Sequence, residues 1–306
     1  MTASHTADGL LVSVVITTRN GADRLPTVLS ALERQTLPRD RFEVIVADDG
    51  STDDTAAVAN AHPLARAVSA GGPVGQPTAS NLGVRASSAP AIAFTDDDTV
   101  PAPDWLERGL ERLAAAPAAV HAGHIELALC DPPTVAALVD LGRGYLDQKS
   151  YADEGFGATA NLWVRREVLD RLGGFDERFL SQGHDRDFGE RAKQAGIDIL
   201  YAPDVIVEHP ARSRARELWR VAFRLGRAQD ELRNLSVGSL AEVRPPHTRA
   251  IYYRPWATIW GLARVRGRGL RPSFRERLGM RVLQYTCIQV PLIAGSLAGE
   301  LRRRRA

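Results

Sequence analysis

The segment AIAFTDDD, residues 91–98, joins a short apolar run directly to three consecutive aspartates, Asp96, Asp97 and Asp98. Its first five residues have the composition of a buried parallel strand, so the carboxylates are expected at the end of that strand. Two carboxylates roughly 4 Å apart repel each other by about 4 kcal/mol at an effective dielectric constant of about 20. The segment therefore requires water, a basic neighbour or a cation beside these three side chains.

The sequence before this segment repeats the arrangement of apolar runs and helical patterns. Predicted strands lie within residues 10–18, 42–47, 63–70 and 91–95, and helical patterns cover 22–35 and 55–61. Residues 71–88 form a Gly-rich loop that enters a helix of small residues. Alternating strands and helices predict an α/β protein, with a Rossmann-like, mostly parallel sheet and helices on both faces. In such sheets, ligands bind beyond the carboxyl ends of the strands.

Polar residues follow three of the predicted strands and are therefore expected to lie close together. Thr17 lies at the end of the first apolar run, Asp48 and Asp49 follow the second, and the aspartate triplet follows the fourth. Oxygen ligands of this kind suit Mg²⁺ or Mn²⁺, which keep coordination positions open for substrate phosphates. The alternative is a solvated acidic turn with no bound ion.

Charge is distributed unevenly along the 306 residues of the chain. Residues 1–204 carry 30 acidic against 18 basic residues, a net charge of −12, whereas residues 205–306 carry 7 acidic residues against 21 arginines, a net charge of +14. The acidic part argues against nucleic acid as a partner. The basic part favours a polyanionic neighbour such as a membrane surface.

The cysteine content and the first nine residues indicate the cellular compartment in which the protein is expected. The two cysteines, Cys130 and Cys287, form neither a disulfide framework nor a metal-binding spacing, so a reducing, cytoplasmic compartment is expected. The first nine residues, MTASHTADG, lack the basic start and apolar core of a signal peptide. We expect residues 1–10 to form a flexible N-terminus.

Seven segments in order along the chain carry a resemblance to a known family. They are VSVVITTRN (12–20), FEVIVADDGSTDDT (42–55), GQPTASNLGVRAS (75–87), AFTDDDTVP (93–101), NLWVRREVLDRLGGFDERF (161–179), GHDRDFGERAKQAG (183–196) and VIVEHP (205–210). Together they resemble the family 2 glycosyltransferases, which have the GT-A fold. The resemblance implies a catalytic domain over residues 11–213, followed by a basic, helical region over 214–306.

The resemblance also implies an activity: transfer of a sugar from a nucleoside-diphosphate-sugar to an acceptor hydroxyl, usually with inversion and with a divalent cation. Thr17 and Asp49 match positions that contact the donor base, and Asp48 lies beside them. Plain turn chemistry is the alternative for both aspartates.

The acidic triplet is expected to serve both the donor and the cation. Asp96 matches the ribose-contacting end of the DxD motif of the family and Asp98 matches its metal ligand, so Asp96 and Asp98 are predicted metal ligands. Asp97 is compatible with either role. His209 matches a position that helps to hold the metal or the diphosphate, although a lone histidine is more often a surface or core residue. An imidazole ligand would favour Mn²⁺.

The resemblance places the catalytic base in a helix that begins near residue 184. Asp185 matches the carboxylate that accepts the proton of the acceptor hydroxyl, with a helix N-terminal acid as the alternative. This sequence has His184 where the family usually has Glu. It also has Ser80 where the family often has Arg, which alters how the donor is held.

The basic C-terminal region contains an uncharged stretch, residues 282–299, with arginines on both sides. Three interpretations remain open for it: an interfacial helix, a helix packed on the catalytic domain, and a membrane span. Arginines on both flanks suit anionic headgroups. We therefore expect association with the inner face of the cell membrane, an acceptor that is lipid-linked or a glycan, and a place in cell-envelope synthesis.

Two other functions compete with glycosyl transfer. A sugar nucleotidyltransferase usually carries a Gly-rich, basic loop after the first strand, whereas TTRNGADRLP, residues 17–26, has one glycine. A non-catalytic nucleotide-sugar-binding or membrane-docking protein would need the acidic triplet but no base. Asp185 is the residue that separates this alternative from an enzyme.

Overall fold

The computed structural model describes residues 9–180, 182–235 and 256–303. Residues 1–8 of the predicted flexible N-terminus lie outside the described residues. The described residues divide into two compact units. The first comprises residues 9–126, 148–180 and 184–209, and the second comprises 127–147, 182–183, 210–235 and 256–303. The domain limits 11–213 and 214–306 stay a prediction.

The strands of the described residues form one sheet. They are β1 (Val12–Thr18), β2 (Phe42–Asp48), β3 (Ala65–Ser69), β4 (Ala91–Asp96), β5 (Val100–Pro101), β6 (Val120–Ala128), β7 (Asn161–Arg165) and β8 (Ile199–Pro210). Their order across the sheet is β3-β2-β1-β4-β7-β6-β8-β5. The first four strands in the chain are parallel, and β7 runs antiparallel to both of its neighbours.

Helices follow β1, β2 and β3, as the sequence pattern predicts, and further helices lie along the rest of the chain. They are α1 (Leu25–Glu33), α2 (Thr55–Ala61), α3 (Gln76–Ala86), α4 (Trp105–Ala115), α5 (Val135–Arg143), α6 (Gln148–Asp153), α7 (Arg166–Leu172), α8 (His184–Gln194), α9 (Ala215–Leu235), α10 (Trp256–Gly267), α11 (Phe274–Leu283) and α12 (Val290–Arg303). A π-helical segment, Gln284–Gln289, joins α11 to α12.

Apolar side chains from the sheet and from the helices α3, α7 and α8 form the core of the first unit. Ile92 and Phe94 of β4 are buried together with Leu162 of β7, Phe188 of α8 and Phe175. The ring of Phe175 meets Phe94 edge-on at 5.3 Å and lies 5.0 Å from Phe188. Because β4 ends at Asp96, this core fixes the position from which the acidic triplet leaves the sheet.

The sequence pattern over residues 197–210 suggests two short strands, and this prediction is wrong. The structure has one strand, β8, in which Pro203 is an interior residue. The neighbouring strand β5 pairs only with Val207 and Glu208, so Pro203 lies beyond its reach. Proline keeps an extended backbone and lacks only the N–H donor, so it removes at most one ladder hydrogen bond and does not end the strand.

The second unit is helical and is held together by close crossings at glycines. Gly226 of α9 lies against the backbone of Leu292, and Gly295 of α12 lies against the carbonyl of Phe223. Helix α5 packs against both α10 and α11. Among the described residues, no helix combines the length and apolar character that crossing a membrane requires.

Candidate functional site

A cluster of two carboxylates and one imidazole lies where β4 and β8 end. Nε2 of His209 is 3.4 Å from Oδ1 of Asp98 and 4.0 Å from Oδ2 of Asp96. The three side chains can place one ligand atom each within 4.8 Å of one another. The structure therefore brings together the three residues that the sequence nominates as metal ligands, and we call them the metal cluster.

Local hydrogen bonds of the turn after β4 produce this geometry. Thr99 donates to the backbone carbonyl of Asp96 at 2.9 Å, and its hydroxyl lies 2.7 Å from that of Thr95. The short strand β5 then pairs with β8 through Val100 and Glu208, next to His209. These two threonines are not among the residues predicted from the sequence, although a hydroxyl residue on each side of an acidic triplet indicates a side-chain-capped turn.

The donor set of the metal cluster fits a divalent cation. About 30% of each aspartate side chain is exposed, whereas His209 is buried. Two carboxylate oxygens and one imidazole nitrogen are a small ligand set for Mn²⁺ or Mg²⁺, with room left for phosphate oxygens and water. A cation here would also relieve the repulsion between Asp96 and Asp98.

Asp97 has different partners from the aspartates on either side of it. Its carboxylate accepts hydrogen bonds from Nε and a terminal nitrogen of Arg24, at 2.9 Å and 2.8 Å, and from the hydroxyl of Thr18. The hydrogen bonds to Asp97 raise the pKa of Arg24. Gly21 leaves room for this group, because a Cβ at that position would collide with Thr18 and Asp97.

These contacts bear on the predicted role of Asp97. The contact of Asp97 with the nucleotide stays a prediction, and the structure shows its carboxylate engaged by a guanidinium and a hydroxyl. Arg24 is a residue that sequence analysis missed. Its position just before α1 gives no signal, because its partner lies 73 residues away in the chain.

The residues predicted to contact the donor base lie at the ends of β1 and β2. Asp48 accepts hydrogen bonds from the backbone N–H and hydroxyl of Ser51, as a turn-forming aspartate does. Asp49 accepts from the backbone N–H groups of Val74 and Gly75, at 2.7 Å and 2.8 Å. Its carboxylate thereby fixes the loop that leads into α3.

Thr17 lies between the residues at the end of β2 and the metal cluster. Its hydroxyl lies 3.3 Å from that of Ser80 on α3, and in the register of the sheet Thr17 is opposite Asp96. The structure therefore places Thr17, Asp48, Asp49 and the acidic triplet along the ends of adjacent strands. Their contacts with a nucleotide stay predictions.

Asp185 is the second residue of α8, and 23% of its side chain is exposed. Burial raises the pKa of Asp185, while His184 and hydrogen bonds from Thr159 act in the opposite direction. A carboxylate with a raised pKa is a stronger base than an exposed one. Oδ1 of Asp185 is buried, and it has no hydrogen-bond partner of suitable geometry among the described residues.

His184 is buried beside Asp185, with Nε2 at 3.2 Å from Oδ1. Its ring meets Phe175 edge-on at 5.6 Å. Neither ring nitrogen has a hydrogen-bond partner within the described part of the chain. The imidazole of His184 therefore packs beside the carboxylate of Asp185 and is a polar group close to it.

The family model for glycosyl transferase family 2 matches residues 13–173, which is more than half of the chain. The chain belongs to glycosyl transferase family 2. The match contains Thr17, Asp48, Asp49 and the acidic triplet, while Asp185 and His209 lie beyond its end. This family 2 glycosyltransferase is therefore an enzyme of the class that its motifs indicate.

Curated relatives of this family 2 glycosyltransferase include three glycosyltransferases. Glycosyltransferase AglE of Haloferax volcanii is 32% identical, over 81% of this chain and 91% of that protein. The pre-mycofactocin glycosyltransferase of Mycobacterium tuberculosis is 29% identical, over 71% of this chain and 46% of that protein. N-acetylglucosaminyl-diphospho-decaprenol L-rhamnosyltransferase of the same species is 28% identical, over 68% and 78%.

Among solved structures, the mannosyltransferase PcManGT of Pyrobaculum calidifontis is similar over most of its length. The TM-score is 0.59 and the identity 23%, with 94% of this chain and 86% of that chain covered. That structure is a complex with GDP-mannose and Mn²⁺. The likeness identifies the fold of this family 2 glycosyltransferase as GT-A.

Proposed function

We propose that this glycosyltransferase moves a sugar from a nucleoside-diphosphate-sugar to an acceptor hydroxyl, with inversion and with a divalent cation bound to Asp96, Asp98 and His209. The observation that carries the proposal is the convergence of these three side chains at the ends of β4 and β8. The Mn²⁺ and GDP-mannose of PcManGT support this class of ion and donor.

The residues of the metal cluster would hold the cation against the diphosphate of the donor. A divalent ion so bound supplies Lewis acidity, which neutralises charge on the departing diphosphate. His209 contributes a buried, oriented imidazole, and the Thr95–Thr99 turn fixes Asp96 and Asp98 before a ligand arrives. This preorganisation is what makes electrostatic stabilisation effective.

Thr17, Asp48 and Asp49 would bind the nucleoside part of the donor. Asp49 already holds the loop before α3 through two backbone N–H groups, so it can shape a pocket for the base as well as contact it. Asp97 would act on the same pocket through Arg24 and Thr18, which its carboxylate keeps in position.

Asp185 would accept the proton of the acceptor hydroxyl as the new glycosidic bond forms. Its raised pKa and its partly exposed side chain support this role. A single base of this kind is sufficient for an inverting transfer, because the acceptor oxygen attacks the anomeric carbon directly while the diphosphate leaves from the other face.

The acceptor would be a lipid-linked molecule or a glycan at the inner face of the cell membrane, in cell-envelope synthesis. The rhamnosyltransferase relative has a decaprenyl-linked sugar in its name, which supports a lipid-linked acceptor. The arginine-rich region after residue 205 supports an anionic surface as the place of action.

Donor binding is tested by thermal unfolding with UDP-, GDP- and dTDP-sugars, each with and without Mn²⁺, because ligands of the native state raise the melting temperature. We expect one nucleotide to stabilise the protein only when Mn²⁺ is present, and Asp98→Asn to remove this effect. Asp40→Asn, at an exposed position of the first unit, is the matched control and should respond like the wild type.

Turnover separates the three candidate functions. A glycosyltransferase releases a nucleoside diphosphate from the stabilising donor, slowly with water and faster with an acceptor. Formation of a nucleotide-sugar from a nucleoside triphosphate and a sugar phosphate would establish a nucleotidyltransferase instead. Tight donor binding with no turnover toward lipid-linked, glycan or water acceptors would leave a binding protein.

A further inference from the structure

Helix α11 and the π-helical segment expose a continuous row of apolar side chains. The row consists of Phe274, Leu278, Val282 and Tyr285, which are 73%, 52%, 51% and 48% exposed. Spacings of four, four and three residues put them on one side of a helix at about 100° per residue. We call these four residues the α11 stripe.

The other side of α11 already has a partner inside the second unit. Met280 is buried, and Gly279 lies against the side chain of Val135 on α5. A capping box between Ser273 and Glu276 fixes the first turn, with hydrogen bonds in both directions. The packing of the unit therefore uses the buried face of α11, and the stripe lies on the exposed face.

Arginines border the stripe on both sides. By helical spacing, Arg275 lies along one margin, and Arg277 and Arg281 lie along the other. Within the described residues, none of the three forms an ion pair with a carboxylate, and the only acid of α11, Glu276, is engaged at the helix start. The surface thus combines an apolar centre with a purely cationic edge.

We propose that the α11 stripe docks in the interface of an anionic lipid bilayer, with α11 parallel to the membrane plane. The apolar side chains would enter the boundary of the acyl chains, while the arginines would reach the phosphate groups of the headgroups. This inference rests on the membrane association in the proposed function and assigns a surface to it. It does not depend on the sugar donor or on the base.

A second copy of the chain fits this surface less well. A two-fold dimer through the stripe would bring the arginines of one α11 against those of the other, because such an interface pairs the same patch of both subunits. A soluble polyanion would use the arginines but would gain nothing from four exposed apolar side chains. An anionic bilayer satisfies both parts of the surface.

Vesicle sedimentation tests the proposal with the full chain. We expect binding to phosphatidylcholine vesicles that contain about one third phosphatidylglycerol, and weak binding to pure phosphatidylcholine. Leu278→Gln with Val282→Gln should lower the partition coefficient about tenfold or more on anionic vesicles, because two apolar side chains no longer enter the interface. Arg275→Gln with Arg281→Gln should remove the preference for anionic vesicles and its salt dependence.

Matched controls come from the first unit. Leu200→Gln changes an apolar side chain that is 39% exposed, and Arg34→Gln with Arg39→Gln removes two exposed arginines. These variants should sediment like the wild type. Unchanged thermal unfolding and unchanged donor turnover in the stripe variants would show that they fold, so that a loss of sedimentation reports the surface alone.

Three results would overturn the proposal. The first is a wild type that does not sediment with anionic vesicles, and the second is a pair of stripe variants that sediment as the wild type does. The third is a stripe-dependent dimer in light scattering, which would make a second copy the occupant. Each result would leave donor binding and sugar transfer to water-soluble acceptors untouched, so the two proposals fail separately.

Discussion

Three adjacent aspartates at the end of β4 have different chemical surroundings. Asp96 is the last residue of β4, and Asp97 and Asp98 lie in the turn that follows. Asp96 and Asp98 lie near His209, while Asp97 meets Arg24 and Thr18. The guanidinium of Arg24 offsets the negative charge of Asp97, and a cation bound near His209 would offset the charges of Asp96 and Asp98. Two carboxylates one residue apart on a turn can both face one ion, but the sequence does not indicate which residue neutralises Asp97.

Asp185→Asn should lower kcat by about a hundredfold or more while leaving donor binding intact, because the amide cannot accept the proton of the acceptor. In the wild type, burial raises the pKa of Asp185, and only the ionised form is a base. Activity should therefore fall as the pH drops through this raised pKa, at a higher pH than for an ordinary carboxylate. A pH–rate profile of kcat/KM measures the acidic limb.

The substitution Asp185→Asn should lower activity without lowering stability at neutral pH. A carboxyl group whose pKa is raised by folding contributes stability that is present below its unfolded pKa and is lost as the pH rises through the folded value. Asp185→Asn removes this loss, so its melting temperature at neutral pH should equal or exceed that of the wild type. Full activity of Asp185→Asn would exclude it as the base.

Asp187 provides the matched control on the same helix. Its side chain is 3% exposed and pairs with Arg191 at 2.8 Å, and Arg191 in turn donates to the carbonyls of Leu172 and Gly174. Asp187→Asn should lower the free energy of unfolding by about 3 kcal/mol, because it leaves a partly buried guanidinium without its partner. Denaturant unfolding distinguishes this structural acid from Asp185.

At the scale of elements, Arg24 links the beginning of α1 to the end of β4. Arg24→Met should lower the free energy of unfolding by about 2 kcal/mol, because Asp97 would keep only Thr18 as a partner beside two other carboxylates. Arg19→Met, at an exposed position nearby, is the control and should change little. Equal urea midpoints for the two variants would contradict a role for Arg24 in holding Asp97.

The crossing of α9 and α12 depends on a glycine in each helix. Gly295→Ala should destabilise the protein by about 1–3 kcal/mol, because the new methyl group would collide with the carbonyl of Phe223. Gly267→Ala, at the end of α10, meets no atom within 4 Å and has no positive φ, so the better helix propensity of alanine should stabilise slightly. Thermal unfolding of the two variants should therefore shift in opposite directions.

The sequence predicted the elements of the first unit better than those of the second. Residues 10–96 alternate between β-branched runs and helical spacing, so both the parallel sheet and the expected GT-A fold are confirmed. The sequence did not predict that residues 127–147 belong to the second unit. Their place there depends on packing between residues far apart in the chain, such as that of Gly142 against Gly261. The π-helical segment between α11 and α12 was likewise not predicted, because it lies inside a continuous uncharged stretch with no signal in the sequence.

At the scale of the whole molecule, the acidic and basic parts of the sequence favour different partners. The acidic sequence up to residue 204 contains Asp96 and Asp98, and the basic sequence after it contains the arginines of α11. A negative potential raises the local concentration of cations, whereas an arginine-rich surface attracts anionic lipid. Salt should therefore weaken membrane binding, which is long-range, more than it weakens cation binding by direct ligands.

Cation binding should stabilise the protein as a whole, because a ligand of the native state shifts the unfolding equilibrium. At a Mn²⁺ concentration one hundred times its dissociation constant, the gain is about 2.7 kcal/mol, or roughly 5–10 °C in melting temperature for a unit of this size. A chelator should reverse the shift.

The metal preference depends on the nitrogen ligand of the cluster. Imidazole favours Mn²⁺ over Mg²⁺, so Mn²⁺ should raise the melting temperature of the wild type more than Mg²⁺ does. His209→Asn replaces the nitrogen with an oxygen ligand and should make the two ions nearly equivalent. His121→Asn, at a buried histidine that hydrogen-bonds to the carbonyl of Ala116, is the control and should keep the preference for Mn²⁺ despite a lower starting stability. A Mn²⁺ preference that survives in His209→Asn would remove this histidine from the metal cluster, whereas its loss in His209→Asn alone would make the imidazole the source of selectivity.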